Sequence, residues 1–271
     1  MELLFIDLCK NGNLEGAKKF LRLLPNNNEE LFYMACAEGH LEVTKWLLGV
    51  KPNINISIED EKAFRNACWC GHLEVAKWLL SVKPDINISI RDESPFRNAC
   101  FKGHLEVAKW LFSVKPDINI SIEDESPFRW ACRNGHLEVS KWLLSVKLDI
   151  NISIEDECPF RWACFEGHLE VAKWLYSVKP DINISVYNEQ VFRLACDYGH
   201  LELAKWLQSL KPYLYVIIYD DNGNYDGYKI RSKEEANWEK RKCALHLALQ
   251  EETNILYHLP VDLAKAVTLF V

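Results

Sequence analysis

From residue 94 the apolar side chains fall at Phe96, Ala99 and Cys100, an i, i+3, i+4 stripe that predicts a short helix. Ser94 and Pro95 read as its N-cap and first-turn proline, and Gly103 as its left-handed stop. A second helix follows His104. Its predicted buried stripe is Val107, Trp110, Leu111 and Val114, with Glu106, Lys109 and Ser113 on the opposite face. Lys115 and Pro116 end it. The next stretch, DINISIEDE, alternates apolar and polar residues and predicts extended chain. The unit is therefore helix, turn, helix, extended arm.

This unit recurs. GHLEV begins at Gly39, Gly71, Gly103, Gly135 and Gly167, GHLEL begins at Gly199, and every step is 32 residues. Helices this short are not stable alone, so the copies must stack to bury their stripes. The expected fold class is all-α: a solenoid of stacked helix-turn-helix units with short extended arms, capped at both ends.

The repeat carries a family resemblance. GHLEVAKWLL and KPDIN resemble the second helix and following turn of the ankyrin repeat, and SPFRWAC resembles the start of its first helix. The style, with Trp in the second helix, is similar to ankyrin proteins of large DNA viruses of amoebae. The chain departs from the family in three ways. Its period is one residue short of the usual length. Its arm lacks the family's glycine, so the arm tips should be shaped differently. In place of the family's Thr–His pair it carries Arg65, Arg97, Arg129, Arg161 and Arg193, each four residues after a Glu. That spacing reads as a structural charge ladder within the helix.

The expected organisation is an N-terminal capping repeat (1–28), six ankyrin-like repeats (29–211), a hairpin insertion (212–233) and a C-terminal helical capping unit (234–271). The hairpin rests on YLYVIIYDDNGNYDGYKI, β-rich flanks around an Asn-Gly.

Composition narrows the function. The net charge is −7 and the basic residues are interleaved with acids, so no basic stripe offers a nucleic-acid groove. No window approaches the roughly 20 apolar residues of a membrane helix, and the N-terminus lacks a secretory pattern. Cys9, Cys36, Cys68, Cys100, Cys132, Cys164 and Cys196 share one register, where neighbours one repeat apart lie beyond disulfide reach. They read as small buried apolar groups in a reducing compartment. The expected location is the cytoplasm, that of a host if the chain is viral, and a monomer is the expectation.

No chemistry emerges from the motifs. The recurring His40 to His200 are a repeat apart and cannot converge on one metal. Cys68, Cys70 and His72 mimic a metal spacing, but two of them belong to structural registers. Asn222, Asn224, Asp226 and Gly227 resemble the start of a calcium loop, yet its twelfth position is Lys233 rather than Glu. With no nucleophile elbow or phosphate loop, neither an enzyme nor a cofactor or metal is expected.

The differences between copies carry the remaining signal. Residues 71–102 and 103–134 differ at five positions, and three of these lie at i, i+3, i+4 on one face of the first helix. The ankyrin resemblance implies that this face and the arm line a concave groove where a partner protein docks. The candidate partner-binding residues are Trp69, Phe101, Trp130, Arg133, Trp162, Phe165 and Tyr198 on the helices, with Arg91 and Tyr187 in the arms. Aromatics and Arg are the types enriched in binding hot spots. The expected function is a non-catalytic protein-interaction scaffold. The alternative adds a ubiquitin-ligase adaptor tail, because NILYHLPVDLAKAV resembles an F-box-like or SOCS-box-like segment at Leu259, Pro260 and Leu263.

Overall fold

The computed structural model describes residues 2–19 and 28–251. The chain divides into two compact units, Met1–Asn183 and Ile184–Val271. The first begins with α1 (Glu2–Lys10) and α2 (Leu14–Lys19). Five helix pairs follow: α3 (Asn28–Ala37) with α4 (Leu41–Val50), α5 (Ile58–Trp69) with α6 (Leu73–Val82), and α7 (Ile90–Lys102) with α8 (Leu105–Val114). The last two are α9 (Ile122–Arg133) with α10 (Leu137–Val146), and α11 (Ile154–Phe165) with α12 (Leu169–Val178). First helices pack against first helices, in the order α3, α5, α7, α9, α11.

The core is the predicted stripe of each first helix. Phe96, Ala99 and Cys100 have no solvent exposure, as do their counterparts in α5, α9 and α11. Burial pushes the Cys36 and Cys132 thiols up to about 12. The described cysteines are all free. In the second helices the stripe differs from expectation: Val107, Ala108 and Leu111 are buried, Trp110 is half-buried and Val114 is exposed. Trp110 lies at the edge because it reaches sideways to the preceding repeat, where its ring meets Phe64 at 6.2 Å. Phe32–Trp78, Phe96–Trp142 and Phe128–Trp174 repeat that contact. Each such pair contributes about 0.5–1.5 kcal/mol beyond its area.

A second link joins the turns. The Nε2–H of His104 donates to the carbonyl of Trp69 (3.0 Å), and that of His136 to the carbonyl of Phe101 (3.0 Å). The ring also covers the preceding repeat's glycine. A Cβ on Gly71 would lie 2.5 Å from Nδ1 of His104, and the φ of Gly71 is +82°. Glycine is therefore required twice over, by left-handed backbone and by the imidazole against its Cα. Gly12 and His40 make the same contact between α1–α2 and the first repeat.

The arms correct three expectations. They form no strand. Ile118 and Ile120 are buried, which accounts for the alternation, but their backbone closes local turns. The chain then passes through three consecutive left-handed residues in every arm, for example Glu123, Asp124 and Glu125 at φ 47°, 53° and 62°. Such backbone costs about 1–2 kcal/mol per non-glycine residue, and several local bonds offset it. Ser121 Oγ donates to Glu125 (2.7 Å), the backbone N–H of Ser121 donates to Asn119 Oδ1 (3.1 Å), and Arg129 donates to the carbonyl of Glu123 (3.0 Å).

The Arg residues consequently do not pair with the Glu four residues earlier, because that Glu sits in the left-handed turn and not on the helix. Arg65 and Arg161 brace the turn through its carbonyls at 2.8 and 3.0 Å. Arg97 pairs with Glu123 and Arg129 with Glu155 (2.7 Å), each in the next arm. Ser94 is likewise no backbone cap: its Oγ accepts from Asn98 (3.1 Å), while Ser126 Oγ is buried without a hydrogen bond.

In the second unit, α13 (Val186–Asp197) and α14 (Leu201–Leu210) form a further helix pair. Strands β1 (Tyr215–Tyr219) and β2 (Tyr225–Ile230) pair antiparallel, and α15 (Lys233–Glu251) follows. The hairpin covers the pair's open side: Phe192 stacks on the fully buried Tyr215 at 4.1 Å and meets Tyr228 edge-on. The Tyr215 hydroxyl donates to Glu189 and Lys211 donates to Ser185, which ties the arm to β1. Asp220 holds the hairpin tip by accepting from the backbone N–H groups of Asn222 and Asn224 at 2.9 and 2.8 Å.

Two predictions follow from this geometry. Asp92 and Asp124 are exposed left-handed residues, and glycine relieves their strain. Asp92→Gly and Asp124→Gly should each stabilise the protein by about 0.5–1 kcal/mol. Urea unfolding checks this, and destabilisation by both would contradict the left-handed arm. The second prediction concerns pH. Burial holds the His104 and His136 imidazoles below their ordinary 6.5. The unfolded chain therefore takes up protons first as pH falls. Stability is fully present above 6.5 and is lost as pH drops through the depressed folded values. The urea midpoint should fall between neutral and mildly acidic pH, and less so in a His104→Gln/His136→Gln variant; an unchanged pH slope in the variant would exclude these residues as its source.

Candidate functional site

The first helix of each repeat ends in residues that are not spent on the core. At the ends of α5, α7, α9 and α11 the i, i+3, i+4 positions that stay off the core are Asn66, Trp69 and Cys70; Asn98, Phe101 and Lys102; Trp130, Arg133 and Asn134; Trp162, Phe165 and Glu166. Stacking of these helices brings the positions into one row. Trp69 stacks on Phe101 (5.5 Å between centroids, 19° between planes), and Phe101 meets Trp130 edge-on at 5.5 Å. The Arg133 guanidinium bridges Trp130 (5.1 Å) and Trp162 (4.0 Å), and Trp162 meets Phe165 edge-on at 5.7 Å. Lys102 lies 4.5 Å from the Trp69 ring.

The row remains accessible. Trp69 and Trp130 are 38% and 37% exposed, although each has aromatic neighbours, while Phe101, Trp162 and Phe165 are half-buried. Between α9 and α11 lies a cleft of about 160 Å³, lined by Arg129, Trp130, Arg133, Glu155, Cys158 and Trp162. A second hollow, lined by Phe101, Trp130, Arg133, Asn134, Glu166 and His168, lies on the other side of Trp130 and Arg133. Arg133 is held there by an ion pair to Glu166 (3.2 Å). Cys158 faces the cleft from a buried position, and burial pushes its thiol up against the opposing pull of Arg129.

Five of the predicted residues in this row, Trp69, Phe101, Trp130, Arg133 and Trp162, thus each touch the next, with Phe165 adjoining Trp162. Arg91 is not among them: it sits at an arm tip, where it pairs with Asp60 of the preceding arm (2.8 Å). Tyr187 and Tyr198 belong to the second unit and are both more than half exposed, Tyr198 beside His200. Leu259, Pro260 and Leu263 lie outside the described residues. Comparison of the copies missed Arg129 and Cys158 as lining residues, whereas Glu155 shares the variable arm register of Arg91 and Tyr187. Arg129 recurs in the other copies and read as framework. Cys158 did carry a signal, since Ser94 and Ser126 occupy its register.

Among the described residues no group of three or more His, Cys, Asp or Glu is placed to hold a metal, and no described helix is long and apolar enough to cross a membrane.

Stacked helix pairs with a shared first-helix face define a helical repeat array. Two family models for ankyrin repeats match, one over residues 32–80 and the other over 96–188, together more than half of the chain. The human ASB11 ankyrin repeat domain, a crystal structure, superposes with a TM-score of 0.53 at 20% identity, covering 76% of this chain and 96% of that one. No curated protein matches. The chain belongs to the ankyrin-repeat proteins, whose fold is typically a non-catalytic protein-interaction module.

Accessibility of the row can be mapped through Cys70, whose thiol is partly exposed among buried cysteines. A thiol-alkylating reagent should modify Cys70 in the folded protein well before Cys68 or Cys100, as read by peptide mass mapping. Equal rates at Cys68 and Cys70 would contradict the orientation of α5.

Proposed function

We propose that this chain is a non-catalytic scaffold that holds a partner protein along the first-helix face, centred on Trp130, Trp162 and Phe165. The observation that carries this reading is the row of aromatic rings, joined through Arg133, that stays partly open to solvent on helices whose core stripe is fully buried. Contiguous exposed aromatics on a soluble fold mark interaction sites, and Trp and Arg dominate binding energies when a partner covers them. Trp69, Phe101 and Arg133 extend the surface along the array. Arg91, Tyr187 and Tyr198 are further candidate contacts. The framework residues, including the recurring His, Gly and Cys, serve stacking.

The test is a double variant. Trp130→Ala with Phe165→Ala should weaken capture of the partner by about 2 kcal/mol or more, while the circular-dichroism spectrum stays that of the parent. Undiminished capture by the folded double variant would remove this face from the function.

A further inference from the structure

We propose that His104 and His136 make the Trp69–Phe101 end of the aromatic row a pH-sensitive surface, held in order at neutral pH and loosened by proton uptake in mildly acidic solution. The geometry that carries this is the tie between each imidazole and a row residue of the preceding repeat. Nε2–H of His104 donates to the carbonyl of Trp69, and that of His136 to the carbonyl of Phe101, each at 3.0 Å. Trp69 is the last residue of α5 and Phe101 the last but one of α7. Their carbonyls lie at helix ends, where intrahelical donors run out, and the imidazole supplies the donor. The same two residues carry the stacked rings that begin the row, 5.5 Å between centroids. What ties down the helix end therefore also holds the rings.

The other ring nitrogen makes the tie sensitive to protons. Nδ1 of His104 packs against Gly71, and Nδ1 of His136 against Gly103. A proton added there faces a glycine Cα, which offers it no acceptor. The charged and titratable side chains that act on His104 are His72 and Lys102, and those that act on His136 are His168, His104 and Lys102. All of them are bases. Lys102 already places its ammonium 4.5 Å from the Trp69 ring and 5.5 Å from the Phe101 ring. Charge on the imidazoles therefore repels the cation that lies on the row. An imidazole that swings out of the glycine slot recovers its hydration and its ordinary basicity, so proton uptake favours the open turn. The packed rings take protons less readily than open ones, and the open form gains as pH falls below 6.5 toward the depressed values. Under the scaffold reading such opening would weaken capture in acid, but the device itself is tested without a partner.

The experiment follows amide hydrogen exchange of the whole protein at about pH 7.5 and about pH 5.5, with each rate divided by that of an unstructured chain at the same pH. The amides of Cys70, Gly71 and His72 close the end of α5 on Asn66, Cys68 and Ala67 and report the turn. Their protection should fall about tenfold in acid, and by more than that of the mid-helix amides of α6. The indole N–H signal of Trp69, assigned with Trp69→Phe, should move over the same range. In the His104→Gln/His136→Gln variant, which keeps an N–H donor for each carbonyl and has no imidazole there to titrate, both responses should vanish. An equal fall at turn and mid-helix amides would mean that protons act on global stability alone, and it overturns the local device. So does a Trp69 signal that stays still, or an acid response that persists in the folded double variant. Should a thermal melt show that variant unfolded, Lys102→Met decides instead. Loss of the repelling ammonium should raise the midpoint of the Trp69 response toward 6.5, and an unchanged or lower midpoint overturns the proposal.

Discussion

Within the first unit each helix pair depends on its neighbour for part of its packing. Helices of ten residues gain too few backbone bonds to stand alone, and the fully buried Phe rings of α5 and α7 each have the following repeat's Trp against them. The His ring performs the same service at the turn, where it covers a left-handed glycine and donates to a carbonyl of the preceding first helix. Stability is then a sum of nearest-neighbour terms, and the identical registers of Phe, Trp, Gly and His follow from that one requirement. A hairpin that stacks Tyr215 on Phe192 satisfies the same need where the helix pair α13–α14 is followed by no further repeat.

Because the stacking is carried by the core, the ends of the first helices are free to vary. Their rings make contacts of their own, yet those contacts leave Trp69 and Trp130 open. The array thus separates two tasks by register: invariant positions hold the repeats together, and variable positions form the row along which Arg133 and Lys102 lie against aromatic faces. The arms belong partly to each task. Their left-handed turns are braced by the framework Arg residues, and their Glu side chains reach back to the preceding repeat.

Much of this was legible in the residues. The 32-residue period, the i, i+3, i+4 spacing of Phe96, Ala99 and Cys100, and the glycine stops all report local backbone and one-sided burial, which a linear pattern encodes directly. The variable face was legible for the same reason, since three differences at helical spacing must share a side. The arm was not. Alternating Ile118 and Ile120 announced burial, and burial alone does not distinguish a strand from a turn, because a strand also needs a neighbour to take its N–H groups. Nor did four-residue Glu–Arg spacing announce an ion pair, since that inference assumes the Glu is helical.

The sequence by itself determined the repeat, the stacked-helix class, the buried register of the first helices and the identity of the variable face, because each depends on side chains within a turn or two of one another. Only the tertiary structure decided which rings touch, that Arg133 lies against both Trp130 and Trp162, and that Arg97 and Arg129 reach the next arm. These contacts join residues about one repeat apart, and their geometry is set by how one helix pair lies on the next.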